Sequence, residues 1–145
     1  MTNDFGNVAD ELDIIRATHV YALGLDRFDP QLTIRAFAED AVWDATPVGL
    51  TRYSGREELL DFFTRDAAAV DKQFHIITNH FITFDSADTA HGTNYVYSEA
   101  EMASGATIKA IALNEDTYTR GPQGWVIQSR YITALTTPDM AGFDA

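Results

Sequence analysis

The spacing of apolar residues changes period half-way along the chain, and the change separates two kinds of structure. Val8, Leu12, Ile15, His19, Ala22 and Leu23 recur at helical spacing, which predicts one amphipathic helix over roughly residues 7–25. Asp29-Pro30 supplies a cap followed by a proline, the start of a short second helix. Its inward residues would be Leu32, Ala36 and Phe37, and it runs out near Glu39-Asp40. Ala41 to Thr46 reads as a short strand and Pro47 to Tyr53 as a loop. Ser54-Gly55-Arg56-Glu57 has the form of a capping box. Leu59, Leu60, Phe62, Phe63 and Ala67 then continue a third helix to about Val70.

From Phe74 onward the pattern is that of strands. Residues 74–84, 90–101, 107–119 and 125–135 are rich in β-branched and aromatic side chains. Asp85 to Asp88, Ala103 to Gly105 and Arg120 to Gly124 separate them with turn chemistry. Helices first and a long meander afterwards predict an α+β domain spanning residues 1–145. Its sheet would be a curved antiparallel half-barrel packed on three N-terminal helices, with an apolar cavity between the layers. Residues 136–145 read as a loose C-terminal tail.

Composition sharpens this picture. A chain of 145 residues with 46% hydrophobic positions can bury one real core. Nine Phe, six Tyr and two Trp suit a fold that encloses an apolar small molecule. A formal net charge of −12 argues against nucleic acid and anionic membrane surfaces as partners. With no cysteine, disulfides and thiolate metal sites are excluded. The first residues are polar and acidic, unlike a signal peptide, and no apolar run reaches 18 residues, so a cytoplasmic protein is the expectation. The four histidines lack metal-ligand spacing, and no phosphate loop or nucleophile elbow is present, so neither metal nor cofactor is expected.

The candidate chemistry lies in a few polar residues set among apolar ones. Asp26 has Leu23, Leu25 and Phe28 around it. It either caps the next turn or faces inward, where a carboxylate needs a partner such as an imidazole. Strand alternation puts His75, Ile77, Asn79 and Phe81 on one face and Ile76, Thr78, His80 and Ile82 on the other. One face looks inward, and alternation alone does not say which. Arg130 lies in a strand otherwise short of charge, as a surface residue or as a buried cationic fork. Turned inward, it would need a carboxylate, with Asp26 the first choice. Tyr21 packs or donates a hydrogen bond, and His19 suits a cavity wall. Asn79 and Asn94 are further cavity candidates. Asp61, Asp66 and Asp71 read as a solvated helix face, and His91 as exposed.

Several of these segments carry a resemblance. The helix ending Gly24-Leu25-Asp26, the run from Phe37 to Trp43 and the Ser54 cap resemble the SnoaL-like, scytalone dehydratase-like group of the nuclear transport factor two-like superfamily. The segments His75 to Asn79 and Trp125 to Arg130 are most similar to hexachlorocyclohexane dehydrochlorinase and the bile-acid dehydratases. That resemblance implies a cone-shaped fold and turns His75 inward. It implies an Asp26–His75 dyad that abstracts a proton, an Arg130 that assists the leaving group, and an active-site Tyr21. Asn94 stands near where scytalone dehydratase carries a second histidine, which argues against scytalone itself as substrate.

The expectation is a cofactor-free, dehydratase-type lyase acting on an apolar ring compound such as a steroid, a polyketide or an aromatic-pathway metabolite. His75, Asp26, Arg130 and Tyr21 would be catalytic, and Asn94, Asn79, Phe81 and His19 would bind substrate. A ketosteroid-isomerase-like isomerase, an epoxide hydrolase and a non-catalytic binding module share this fold and remain open. An outer sheet face carrying Ile76, Ile82 and Phe84 predicts a homodimer or homotrimer.

Overall fold

The structure, a computed structural model, describes residues 6–143. Helix α1 (Val8–Asp26) is capped by Asn7, whose side chain accepts from the Asp10 N–H. Helix α2 (Pro30–Ile34) follows the Asp29 cap. The two helices meet closely at Gly24, where a Cβ would lie 2.5 Å from the Thr33 backbone nitrogen. Only glycine permits that approach, and it fixes the last turn of α1, which ends in Asp26.

Strand β1 (Phe37–Asp44) begins earlier than the sequence predicts, because α2 is one turn shorter. Ala36 and Phe37 instead join β6, with Ile127 donating its N–H to the Ala36 carbonyl at 2.8 Å. The predicted loop holds a short turn of 3₁₀ helix (Thr46–Val48) and strand β2 (Arg52–Ser54), which pairs with β1. Helix α3 (Arg56–Ala69) starts at Gly55 rather than at a serine capping box. Half of that box survives one residue along, where Ser54 donates its N–H to Glu58 at 2.8 Å.

The sheet is completed by β3 (Val70–Phe84), β4 (Thr89–Met102), β5 (Thr107–Gly121), β6 (Gly124–Ala134) and β7 (Asp139–Ala141). The order is β2-β1-β6-β5-β4-β3, with β7 paired to β5. The long pairings are antiparallel, while β1 runs parallel to β6, so the curved, unclosed sheet is mixed. The expected loose tail is thus partly ordered: its residues 139–141 form an edge strand against Thr107 to Lys109. Ile14, Tyr21, Phe37, Phe63, Trp125 and Ile127 lie in the core between helices and sheet.

Two bulges break the predicted alternation. In β3, Thr78 pairs with Tyr95 and Phe81 with Thr93, so Asn79 and His80 together oppose Asn94. Asn79 takes a left-handed φ of 57°, a conformation asparagine adopts more readily than most residues. Beyond that point the faces exchange. His80, Ile82 and Phe84 turn toward the helices, while Asn79 and Phe81 point outward. In β6, Ser129 pairs with Thr117 but Ile127 with Tyr118, leaving Gln128 as the extra residue. Trp125 and Ile127 face inward before this bulge, and Arg130 and Ile132 face inward after it.

Among the described residues, no helix is long and apolar enough to cross a membrane.

Candidate active site

Asp26 and His75 meet across α1 and β3. His75 Nδ1 lies 2.8 Å from Asp26 Oδ1, and the His75 backbone N–H donates to Asp26 Oδ2 at 3.1 Å. Both carboxylate oxygens are therefore engaged by one residue, which fixes the imidazole plane. In the neutral form of the ring, the accepting carboxylate places the proton on Nδ1 and leaves the Nε2 lone pair free. The side chains retain 16% and 26% exposure, so the pair is reachable from solvent without being bathed in it. It stands at one end of a groove of about 1070 Å³ between α1 and the β3 edge. Leu12, Ile15, Leu23 and Ile76 give this groove an apolar wall, and His19 and Arg16 lie along it.

Gln73, two residues before His75 on β3, ties the last turn of α1 to α3. Its amide donates to the Leu25 carbonyl at 2.8 Å and to Asp66 at 3.1 Å. Of the three carboxylates expected on a solvated helix face, only Asp61 is one: Asp66 is partly buried and bonded to Gln73, and the exposed Asp71 lies in β3, beyond the end of α3. Burial raises its pKa, partly offset by the Gln73 hydrogen bond and the nearby His75.

The second polar cluster is fully buried. Arg130 grips Asp116 in a two-pronged pair, Nε to Oδ1 and Nη2 to Oδ2, both at 2.8 Å. Its resting partner is thus Asp116, directly opposite in register, and not Asp26. Burial opposes the Arg130 charge, but Asp116 outweighs it, so the pKa lies above the usual arginine value. Asn94 donates to Asp116 at 2.8 Å, Tyr118 donates to Asp116 at 2.9 Å, and Asn114 donates to Asn94 at 2.8 Å. Asn94 therefore anchors this network and does not line the groove. Arg130 Nη1 has no hydrogen-bond partner among the described residues.

Tyr21 connects the two clusters. Its ring lies 4.6 Å from the Arg130 guanidinium and 6.4 Å from the His75 ring. Its hydroxyl accepts from Trp43 Nε1 at 3.3 Å, and burial pushes its pKa up, so the phenol stays protonated.

The structure brings His75, Asp26, Tyr21 and Arg130 to one side of the sheet. It leaves Asn79 and Phe81 on the other, where Phe81 is 53% exposed. The bulge at Asn79 reverses the alternation on which those two assignments rested. His19 lies on the exposed side of α1, its ring 5.6 Å from that of His80. Sequence reasoning missed Asp116, Asn114 and Tyr118, although their even spacing on β5 was a usable signal. It also set His80 apart from His75. His80 Nε2 is 2.8 Å from Thr18 Oγ1, and burial, with His19 and Arg130 nearby, lowers its pKa to about 4.

Above about pH 6.5 His80 is neutral in folded and unfolded chains alike and contributes no pH dependence. Between that value and about 4 the unfolded chain binds a proton that the folded one does not. Stability should therefore fall as pH falls through this window. The urea midpoint of His80→Gln should decline less steeply from pH 7 to 4.5 than the parent's; parallel declines would remove His80 as the cause.

The SnoaL-like domain profile matches residues 6–131. The chain belongs to the SnoaL-like family. No curated protein matches this SnoaL-like chain in sequence. Among solved structures it is similar to a Novosphingobium aromaticivorans protein provisionally named an aromatic ring hydroxylase. The identity is 26% and the TM-score 0.89, over 94% of this chain and 96% of the other. A protein from the same species, provisionally named a scytalone dehydratase, aligns with TM-score 0.85 at 18% identity, over 99% of this chain and 95% of the other. A hexachlorocyclohexane dehydrochlorinase from Novosphingobium barchaimii aligns with TM-score 0.73 at 22% identity, over 94% and 92%. The SnoaL-like chain thus has the nuclear transport factor two-like cone, and its structural neighbours include proteins named for dehydration and dehydrochlorination.

Proposed function

We propose that the protein is a lyase that eliminates water from a small, apolar, ring-bearing substrate and needs only its own side chains to do so. The observation that carries this reading is the Asp26–His75 contact at 2.8 Å beside an apolar groove. His75 Nε2 takes a proton from a carbon acidified by a neighbouring carbonyl, and Asp26 holds the imidazolium that results. The C–H electrons form the new double bond as the C–O bond breaks. The departing oxygen collects the proton and leaves as water, which returns His75 to its neutral form. Arg130 Nη1 and the protonated Tyr21 stabilise the charge that develops on oxygen. The names of the three solved relatives all concern ring compounds, which supports the substrate class.

The direct test is a panel of cyclic β-hydroxy carbonyl compounds incubated with the protein and read by mass spectrometry. Loss of one water from a panel member, absent without protein, supports the lyase. Proton exchange or a shifted double bond with no mass loss points to an isomerase instead.

Arg130→Lys should lower turnover by at least about tenfold with little change in KM, because a point charge cannot both hold Asp116 and face the oxygen. Steady-state kinetics on the compound found above checks this; unchanged turnover removes Arg130 from the mechanism.

We also propose a homodimer or homotrimer formed through the outer sheet face. The exposed residues there are Ile76, Phe81, Tyr95, Ile111 and Tyr131, not the expected Ile82 and Phe84, which the β3 bulge turns inward. Sedimentation at micromolar concentration should show two or three chains per particle; a species with the mass of one chain would refute it.

A further inference from the structure

The groove beside the dyad is longer than a single ring requires. Its lining runs along α1 from Ala9 to Asp26, about 25 Å at the rise of a helix. Its volume of about 1070 Å³ stands at the top of the range of about 300–1,000 Å³ usual for small-molecule sites. Asp26 and His75 hold one end, so a ring placed against His75 leaves most of the groove to the rest of the substrate.

Leu12, Arg16, His19, Leu23 and Asp26 follow one another at intervals of four and three residues, which sets them in one stripe of α1 along the groove. Three charged side chains are part of the lining. Asp26 stands at the dyad. Arg16 lies ten residues earlier, about 15 Å away along the helix axis. Asp13 lies one turn beyond Arg16, and its carboxylate accepts from the Trp125 backbone N–H at 2.7 Å, which ties it to the start of β6. Arg16 is exposed and makes no hydrogen bond or ion pair with any described residue. His19, one turn nearer the dyad, adds a ring that can donate an N–H beside it.

This charge pattern gives the groove a direction. Asp26 repels an anion from the dyad end, and Arg16 attracts one to the far end. The net charge of −12 opposes any anion in proportion to its charge, which disfavours a doubly charged phosphate twice as much as a carboxylate. The planar fork of arginine also matches a carboxylate. Resting on the lyase reading above, we infer that Arg16, with His19, binds a carboxylate at the far end of the substrate, which makes Arg16 a specificity-determining residue and the substrate an elongated, ring-bearing carboxylic acid. The ring lies against His75, the apolar chain runs over Leu23 and Ile76, and the carboxylate ends the molecule. A neutral analogue fills the same apolar wall but forgoes the charge-assisted hydrogen bonds.

The test is a calorimetric titration of the full chain with cyclohexyloctanoate, whose ring and carboxylate stand at opposite ends, and with its neutral amide. At low salt the parent should bind the carboxylate about tenfold more tightly than the amide, and added salt should shrink that preference. Arg16→Gln should bind the two alike, Arg16→Glu should favour the amide, and Arg16→Lys should keep part of the preference, all with the circular dichroism spectrum of the parent. In nitrogen NMR of the ¹⁵N-labelled parent, the His75 imidazole should respond to the carboxylate probe. Failure to bind either probe, equal affinities in the parent, a preference that survives Arg16→Gln, or a silent His75 imidazole overturns the inference. The same titration in His75→Ala separates the two readings. A preference retained there keeps the carboxylate site even if no panel compound loses water, whereas dehydration of a panel compound with no preference for the carboxylate keeps the lyase and removes Arg16.

Discussion

Asp116→Asn should lower stability by about 3–5 kcal/mol, the largest effect expected of any single change in this protein. Arg130 and Asp116 both have side chains of 0% relative exposure, and the pair is held by two hydrogen bonds of 2.8 Å. Removing the carboxylate charge leaves a guanidinium buried with no counter-ion. Its other surroundings cannot replace the loss, because the Tyr21 phenol beside it stays neutral and Asn94 and Tyr118 donate toward Asp116 themselves. In a domain of this size the melting temperature should drop on the order of 10 °C. Calorimetry or urea titration measures this directly. The double variant Asp116→Leu with Arg130→Met should recover much of the loss, since no charge is then left unpaired. A single variant as stable as the parent would mean that Arg130 is not held by this pair.

His75→Gln and Asp26→Asn should each reduce turnover by about 10²–10⁴-fold on any substrate found by the panel. The two act on one step for different reasons. His75→Gln removes the base itself. Asp26→Asn keeps the shape but takes away the charge that stabilises the imidazolium, and its amide can present a donor to Nδ1, which favours the wrong tautomer. Because both side chains sit at the groove and keep some exposure, thermal melts should differ little from the parent. Losses in the double variant should fall well short of the product of the single losses, since the residues work as a unit. Parental turnover in either single variant would end the dyad assignment.

Much of the architecture was legible in the chain, because it follows from local periodicity. The 3.6-residue apolar repeat before Asp26 and in α3, and the β-rich runs after Phe74, located the two long helices and the four long strands, while the Asp29-Pro30 cap marked only the start of α2. The turn residues between the strands marked their ends. The pairing of Asp26 with His75 came from a resemblance, with the apolar neighbours of Asp26 only pointing the same way. What periodicity could not supply was the position of each bulge. One extra residue in β3 and one in β6 reverse the faces beyond them, and they depend on the register of the partner strand rather than on the strand's own sequence. The tertiary structure alone therefore turned His80 and Arg130 inward and Asn79 and Phe81 outward. It also gave Arg130 its counter-ion, because Asp116 lies opposite it only once β5 and β6 are paired. Local sequence determined which elements form. Strand register, a property of two strands at once, decided which side chains face the site.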